Sequence, residues 1–153
     1  MLRLLAEEHR TSTAGKLAEG HGIGATVEEL LRLQSGLTGE PFPRFAQADL
    51  DLAGAAIRAG DLVLVRLEAA HRDPRHFDRP DTFLPERRSS PLLVFGHGIH
   101  YCLGAPLARL EMAAALGALA RRLPGLRLDG KPEEVVWERD GLDLGPSALH
   151  VTW

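Results

Sequence analysis

Apolar positions recur every three or four residues in two stretches of the chain, and each stretch predicts a helix. From Thr26, whose side chain suits an N-cap, Val27-Glu28-Glu29-Leu30-Leu31-Arg32-Leu33 predicts a short helix with acids in its first turn, ending near Ser35-Gly36. From Leu107 to Leu123 the helical pattern is almost unbroken, with Pro106 at its start and Pro124-Gly125 as its stop. Arg121 and Arg122 fall in its last turn, where positive charge is favourable. Leu107, Leu110 and Ala114 mark one apolar line, and Met112, Leu116, Leu119 and Leu123 mark another, so the helix is expected to be buried.

Between the two helices the pattern changes. Pro41-Phe42-Pro43 imposes an extended entry, after which Leu50, Leu52 and Ile57 alternate with smaller or polar residues up to the turn Arg58-Ala59-Gly60-Asp61. Leu62 to Val65 is the expected partner strand, and Ala69 to His71 a helical turn. From Pro74 to Pro91 the chain is rich in proline and charge, a long meander that something must pin down. At the far end, Val135-Val136-Trp137 and Leu149 to Thr152 predict a closing strand pair. The first 24 residues predict an irregular, partly helical segment: Met1 to Arg10 has helical character, and Thr11 to Gly15 and Gly20 to Gly24 break it. The expected fold class is mainly α with small β hairpins.

Composition narrows the function classes. A chain of 153 residues can enclose one core, and a net charge of −3 without a long basic run leaves nucleic-acid binding no electrostatic footprint. One cysteine closes no intramolecular disulfide, and the charged start Met1-Leu2-Arg3-Leu4-Leu5-Ala6-Glu7 does not resemble a secretory signal, so cytoplasmic residence is the default expectation. The apolar run Met112 to Ala120 is too short for a bilayer, and no membrane span is expected.

That single cysteine, Cys102, lies in Phe95-Gly96-His97-Gly98-Ile99-His100-Tyr101-Cys102-Leu103-Gly104, directly ahead of the second helix. A thiolate that binds iron from one side of a flat macrocycle needs bare backbone near the ring. Gly96, Gly98 and Gly104 provide it, and glycine also allows a tight loop to aim N–H groups at one sulfur. The positive end of the helix would face the thiolate. A lone cysteine can equally be a buried, inert, small apolar residue. Zinc ligation by His97, His100 and Cys102, with His71 or His76 as fourth ligand, suits the pattern poorly, because structural zinc sites pair ligands on two separated knuckles and only one cluster occurs.

The run Phe-Gly-x-Gly-x-His-x-Cys-x-Gly resembles the haem-binding signature of the cytochrome P450 family, and the continuation Ala105-Pro106-Leu107-Ala108-Arg109-Leu110-Glu111 is similar to its soluble bacterial members. The resemblance implies the C-terminal portion of the P450 fold over residues 25–153, haem as cofactor, and monooxygenation as the chemistry of the whole enzyme. It makes Cys102 the proximal iron ligand and hence the catalytic and metal-binding residue, with Phe95 beside the sulfur and the small Ala108 where the helix passes the ring. It makes Arg44, in Arg44-Phe45-Ala46-Gln47, and His100 partners of the haem propionates. Glu29 and Arg32 match the family's Glu-x-x-Arg helix, and Arg87 in the meander matches the third member of its charged triad. Arg58 stands where the family often has proline.

The same resemblance implies a ferredoxin-type electron donor and a small apolar substrate. Arg109 is read as an exposed helix arginine, with contact to an acidic donor as the alternative. No counterpart of the family's central oxygen-activating helix or its substrate lid occurs in the sequence. Two rival readings stay open: a half-enzyme that assembles with a separate N-terminal half, and a non-catalytic interaction domain in which Cys102 is inert core.

Overall fold

The first helix, α1, spans Ile23–Gln34, three residues ahead of the expected N-cap at Thr26. Gly22 precedes it in a left-handed conformation (φ 69°) without a side-chain cap, and the Thr26 amide donates to Gly22 O at 2.9 Å as an ordinary helical bond. Tertiary packing explains the longer helix. Ile23 packs against the core, and a Cβ on Gly117 would lie 3.3 Å from its Cδ1 and 3.1 Å from Arg121 Nη1, so a side chain there would make both shift slightly. These details come from a computed structural model that describes residues 17, 19–35, 43–87, 91–138 and 145–153. Of the expected N-terminal segment 1–24, Met1 to Arg10 and the break at Thr11 to Gly15 lie outside the described residues, as do Pro41 and Phe42.

Residues 43–63 form two nested antiparallel pairs, in place of the single hairpin expected about Arg58 to Asp61. Strand β2 (Leu50–Leu52) pairs with β3 (Ala55–Ile57), Leu50 opposite Ile57, while β1 (Arg44–Phe45) pairs with β4 (Leu62–Val63), Phe45 opposite Leu62. The inner register follows from Ala53 and Gly54, both left-handed (φ 54° and 88°), a two-residue turn whose twist matches that of paired strands. Asp51 Oδ1 holds it by accepting from the Gly54 amide at 3.0 Å. The Arg58 to Asp61 turn does form, with the Asp61 amide donating to Arg58 O at 3.0 Å, but it joins β3 to β4 rather than two partners.

A short helix, α2 (Leu67–Ala70), comes next, and after the cysteine loop the long helix α3 (Ala105–Arg122) follows. The core is the seam between α1 and α3: Val27, Leu30, Leu31, Leu33, Phe83 and Leu116 are buried, with Ile23, Leu92, Val94, Phe95, Met112 and Ala113 packed around them. The other apolar line of α3, Leu107, Leu110 and Ala114, finds no such partner among the described residues. Leu107 and Leu110 are 58% and 66% exposed, so the helix is half-covered and not buried as its sequence implied.

The closing strands also pair differently from expectation. Trp137–Glu138 (β6) pairs with Gly145–Pro146 (β7), and Val151–Thr152 (β8) pairs with Arg127–Leu128 (β5), directly after α3. Among the described residues, no helix is long and apolar enough to cross a membrane.

Candidate functional site

Cys102 sits where a turn of 3₁₀ helix (Gly98–His100) meets α3. Gly96 and Gly98 take φ of 79° and 73°, the left-handed region that an L side chain occupies only at a cost. Those two reversals fold the loop back, so that the Cys102 amide donates to Phe95 O at 2.9 Å and the Tyr101 amide to Gly98 O at 3.0 Å. Ahead of the loop, the Gly96 amide donates to Leu93 O at 2.8 Å. Gly104 differs. Its φ is −79°, and a Cβ there would meet only Cys102 Sγ at 3.8 Å, an ordinary contact, so nothing within the described chain demands glycine at this position.

The thiol is exposed, which overturns the reading of Cys102 as inert core. Ile99 and Leu103 beside it are 97% and 98% exposed. His100 is exposed at the end of the 3₁₀ turn, Ala108 is half-buried on α3, and Phe95 is half-buried against the core. Phe95, Gly96, Gly98, His100, Cys102, Gly104 and Ala108 therefore share one loop-to-helix unit, whereas Arg44 stands exposed on the separate β1–β4 pair.

A buried charged clamp lies between α1 and the meander. Arg32 is 1% exposed, and its five N–H groups are all placed. Nε and Nη2 donate to Glu29 at 2.9 and 2.8 Å, Nη1 donates to His71 O at 2.8 Å and Pro80 O at 2.7 Å, and Nη2 also reaches Thr82 O at 3.4 Å. Arg87 approaches Glu29 from the meander, its Nε 3.2 Å from both carboxylate oxygens, and donates to the carbonyls of Asp78, Arg79 and Thr82. The Leu84 amide completes the carboxylate's shell at 3.0 Å. Burial pulls the Glu29 carboxyl upward, but the hydrogen bonds from Arg32 and Leu84 and the two positive charges together outweigh it and leave the group below its ordinary 4.5. Glu29, Arg32 and Arg87 are thus in direct contact, and their spare donors tie 78–84 to α1.

A second tie was not anticipated. His71, which sequence reasoning offered only as a zinc ligand, is 1% exposed, and both ring nitrogens are engaged. Nε2 accepts from the Leu93 amide at 2.9 Å, which leaves the proton on Nδ1 to be donated to Ser35 Oγ at 2.8 Å. Ser35 Oγ in turn donates to Arg32 O at 2.8 Å. The ring so links the end of α1 to the strand-like entry of the cysteine loop, and burial, with the charges of Arg32 and Arg72, holds its pKa below the usual 6.5. Among the described residues, no group of three His, Cys, Asp or Glu could hold a metal ion, which removes the zinc arrangement. Only the helical turn before Asp73-Pro74 hinted that His71 faced inward.

Arg109, expected as an exposed helix arginine, is only partly exposed. It pairs with Glu28, Nε to Oε1 at 2.5 Å, which raises its pKa further, and its guanidinium carbon lies 4.7 Å from the centre of the Phe95 ring.

A family model, Cytochrome P450, matches residues 3–135. The chain belongs to the cytochrome P450 family. Among P450 relatives, Nocardicin C N-oxygenase of Nocardia uniformis subsp. tsuyamanensis is 44% identical over 131 residues, 86% of this chain and 33% of that enzyme. The P450 monooxygenase PikC of Streptomyces venezuelae is 42% identical over 145 residues, 95% of this chain and 35% of its own length. Among solved P450 structures, the LnmA hydroxylase from the leinamycin biosynthetic pathway of Streptomyces atroolivaceus superposes with a TM-score of 0.86 at 41% identity, covering 99% of this chain and 38% of that one. The chain thus spans about a third of the length of the P450 relatives it matches.

Proposed function

We propose that the chain supplies the thiolate side of a haem pocket in a P450 monooxygenase, with Cys102 as the iron ligand. The observation that carries this is an exposed thiol at the end of a loop turned by two left-handed glycines: nothing lies within 4 Å of a Cβ on Gly98, and Gly104 needs no glycine for internal reasons. A flat apolar ligand lying on that side of the loop would cover Ile99 and Leu103, which are otherwise exposed. A single sulfur also suits a group that brings its remaining metal ligands itself, since the described residues form no cluster of three.

Cys102 would hold the metal, and Phe95, Gly96, Gly98, Gly104 and Ala108 would line the ring. His100 and Arg44 would donate to its propionates, as the family resemblance implies. Haem bound there supplies the redox chemistry that activates oxygen. The residues of this chain would do the rest on their side: the loop's backbone bonds set the position of Cys102, Phe95 and the ring together would keep water from the sulfur, and His71, bonded to Leu93, ties the loop's entry to α1. The oxygen-binding side and the substrate pocket then come from parts of the P450 fold that this chain does not span, on the same polypeptide or on a separate N-terminal half. A small apolar substrate, a ferredoxin-type electron donor and a cytoplasmic setting complete the reading.

The test is the spectrum of the purified chain mixed with haem, reduced under carbon monoxide. A strongly red-shifted Soret band that disappears in Cys102→Ala is the expected result. A band of the histidine-bound type in both proteins rejects the assignment.

A further inference from the structure

Arg109 stands on α3 seven residues past the thiol, and its one planar group reaches three residues, one on α1 and two at either end of the cysteine loop. Glu28 of α1 accepts from it twice, at 2.5 and 3.2 Å, the Tyr101 hydroxyl accepts at 3.1 Å, and the Phe95 ring lies under it with 4.7 Å to the centroid. Phe95 and Tyr101 bear directly on the sulfur's position: the Phe95 carbonyl receives the Cys102 amide, and Tyr101 is the residue before Cys102. A charge engaged in this way is poorly suited to docking an acidic protein. The ion pair is also partly exposed, with side chains 32% and 41% accessible, so it contributes little to folding.

We propose that Arg109 is a positioning residue for Cys102: braced by Glu28, it clamps the Phe95 ring and the Tyr101 hydroxyl and so makes α1 and α3 jointly set where the thiol stands. The inference rests on the haem-thiolate reading. It differs from an ordinary surface pair in needing guanidinium geometry, because a lysine restores the charge but neither the bidentate fork nor the flat face over the ring.

The experiment uses the full chain with Arg109→Lys and Glu28→Gln, and reads amide hydrogen exchange in peptides covering 96–104 and 112–120. Arg109→Lys loses the flat contact over the ring and the bidentate bond, and Glu28→Gln loses the charged brace; each is expected to speed exchange in 96–104 about fivefold, with 112–120 unchanged. Haem-loaded Arg109→Lys is expected to show a smaller share of the thiolate-type band than wild type. Unchanged exchange in 96–104, or equal acceleration in both peptides, overturns the proposal, as does full rescue by lysine. Exchange needs no haem, so a wild-type chain without a thiolate band defeats the haem reading alone and the fate of Arg109 is still decided.

Discussion

The clamp and the cysteine loop are neighbours built on opposite terms. Around Glu29, Arg32, Arg87 and His71, every donor of Arg32, all of the carboxylate's neighbours and both imidazole nitrogens are placed within the chain. Around Cys102 the backbone is ordered just as tightly, yet the side chains on its open face, Ile99 and Leu103, touch almost nothing. A satisfied polar network specifies one arrangement and costs heavily to disturb. An ordered loop with exposed apolar side chains is suited to a partner that covers them. The clamp is satisfied within the chain, and the loop is open on the side that the proposed haem would cover.

The largest effect is expected where the clamp loses its carboxylate. Glu29→Gln keeps the shape but leaves two guanidiniums without a counter-charge, and should cost about 3–5 kcal/mol in urea unfolding, enough to unfold a marginal chain. A loss below about 1 kcal/mol would mean that the clamp is a solvated surface group after all. His71→Ala should cost about 2–3 kcal/mol by stranding the Leu93 amide and the Ser35 hydroxyl. The histidine also gives a pH signature. Its folded pKa is depressed below 6.5, so below that value the unfolded chain binds more protons. Stability contributed by the neutral ring is complete above pH 6.5 and is lost as pH falls. Urea midpoints measured downward from pH 6.5 should decline in the wild type, with a shallower slope in His71→Ala.

The loop responds on a smaller scale and divides its glycines. Gly98→Ala should cost about 1–2 kcal/mol because alanine must adopt a left-handed φ. Gly104→Ala, at an ordinary φ with its Cβ in normal contact with the sulfur, should change stability by less than about 0.5 kcal/mol and still impair haem uptake. That split, a neutral substitution for folding and a damaging one for binding, would sharpen the contrast between the two regions. Smallest of all, Leu110→Gln on the uncovered side of α3 should leave unfolding within about 0.5 kcal/mol and reduce self-association in sedimentation.

What the sequence announced was what local pattern can encode. The course of α3 followed from Pro106, the apolar periodicity and Pro124-Gly125, and the cysteine loop from its glycine spacing. Glu29 and Arg32 stand three apart on one helix, within pairing distance, but Arg87 joined them only through family resemblance, since it lies 58 residues from its carboxylate. Partners distant in sequence explain what was missed. His71 bonds to Ser35 and Leu93, 36 and 22 residues away, and no spacing rule connects them. The hairpin register went astray because Ala53-Gly54 lacks the asparagine or aspartate that usually marks such a turn. Two apolar lines imply a buried α3, but only one of them finds a partner among the described residues.

The central claim is a bond between one sulfur and iron. X-ray absorption at the iron edge of the haem-loaded chain tests it without reference to turnover. The account predicts a sulfur scatterer in the first coordination shell of the wild type, replaced by nitrogen or oxygen in Cys102→Ala. An all-nitrogen shell in the wild type, identical to that of the variant, would contradict it.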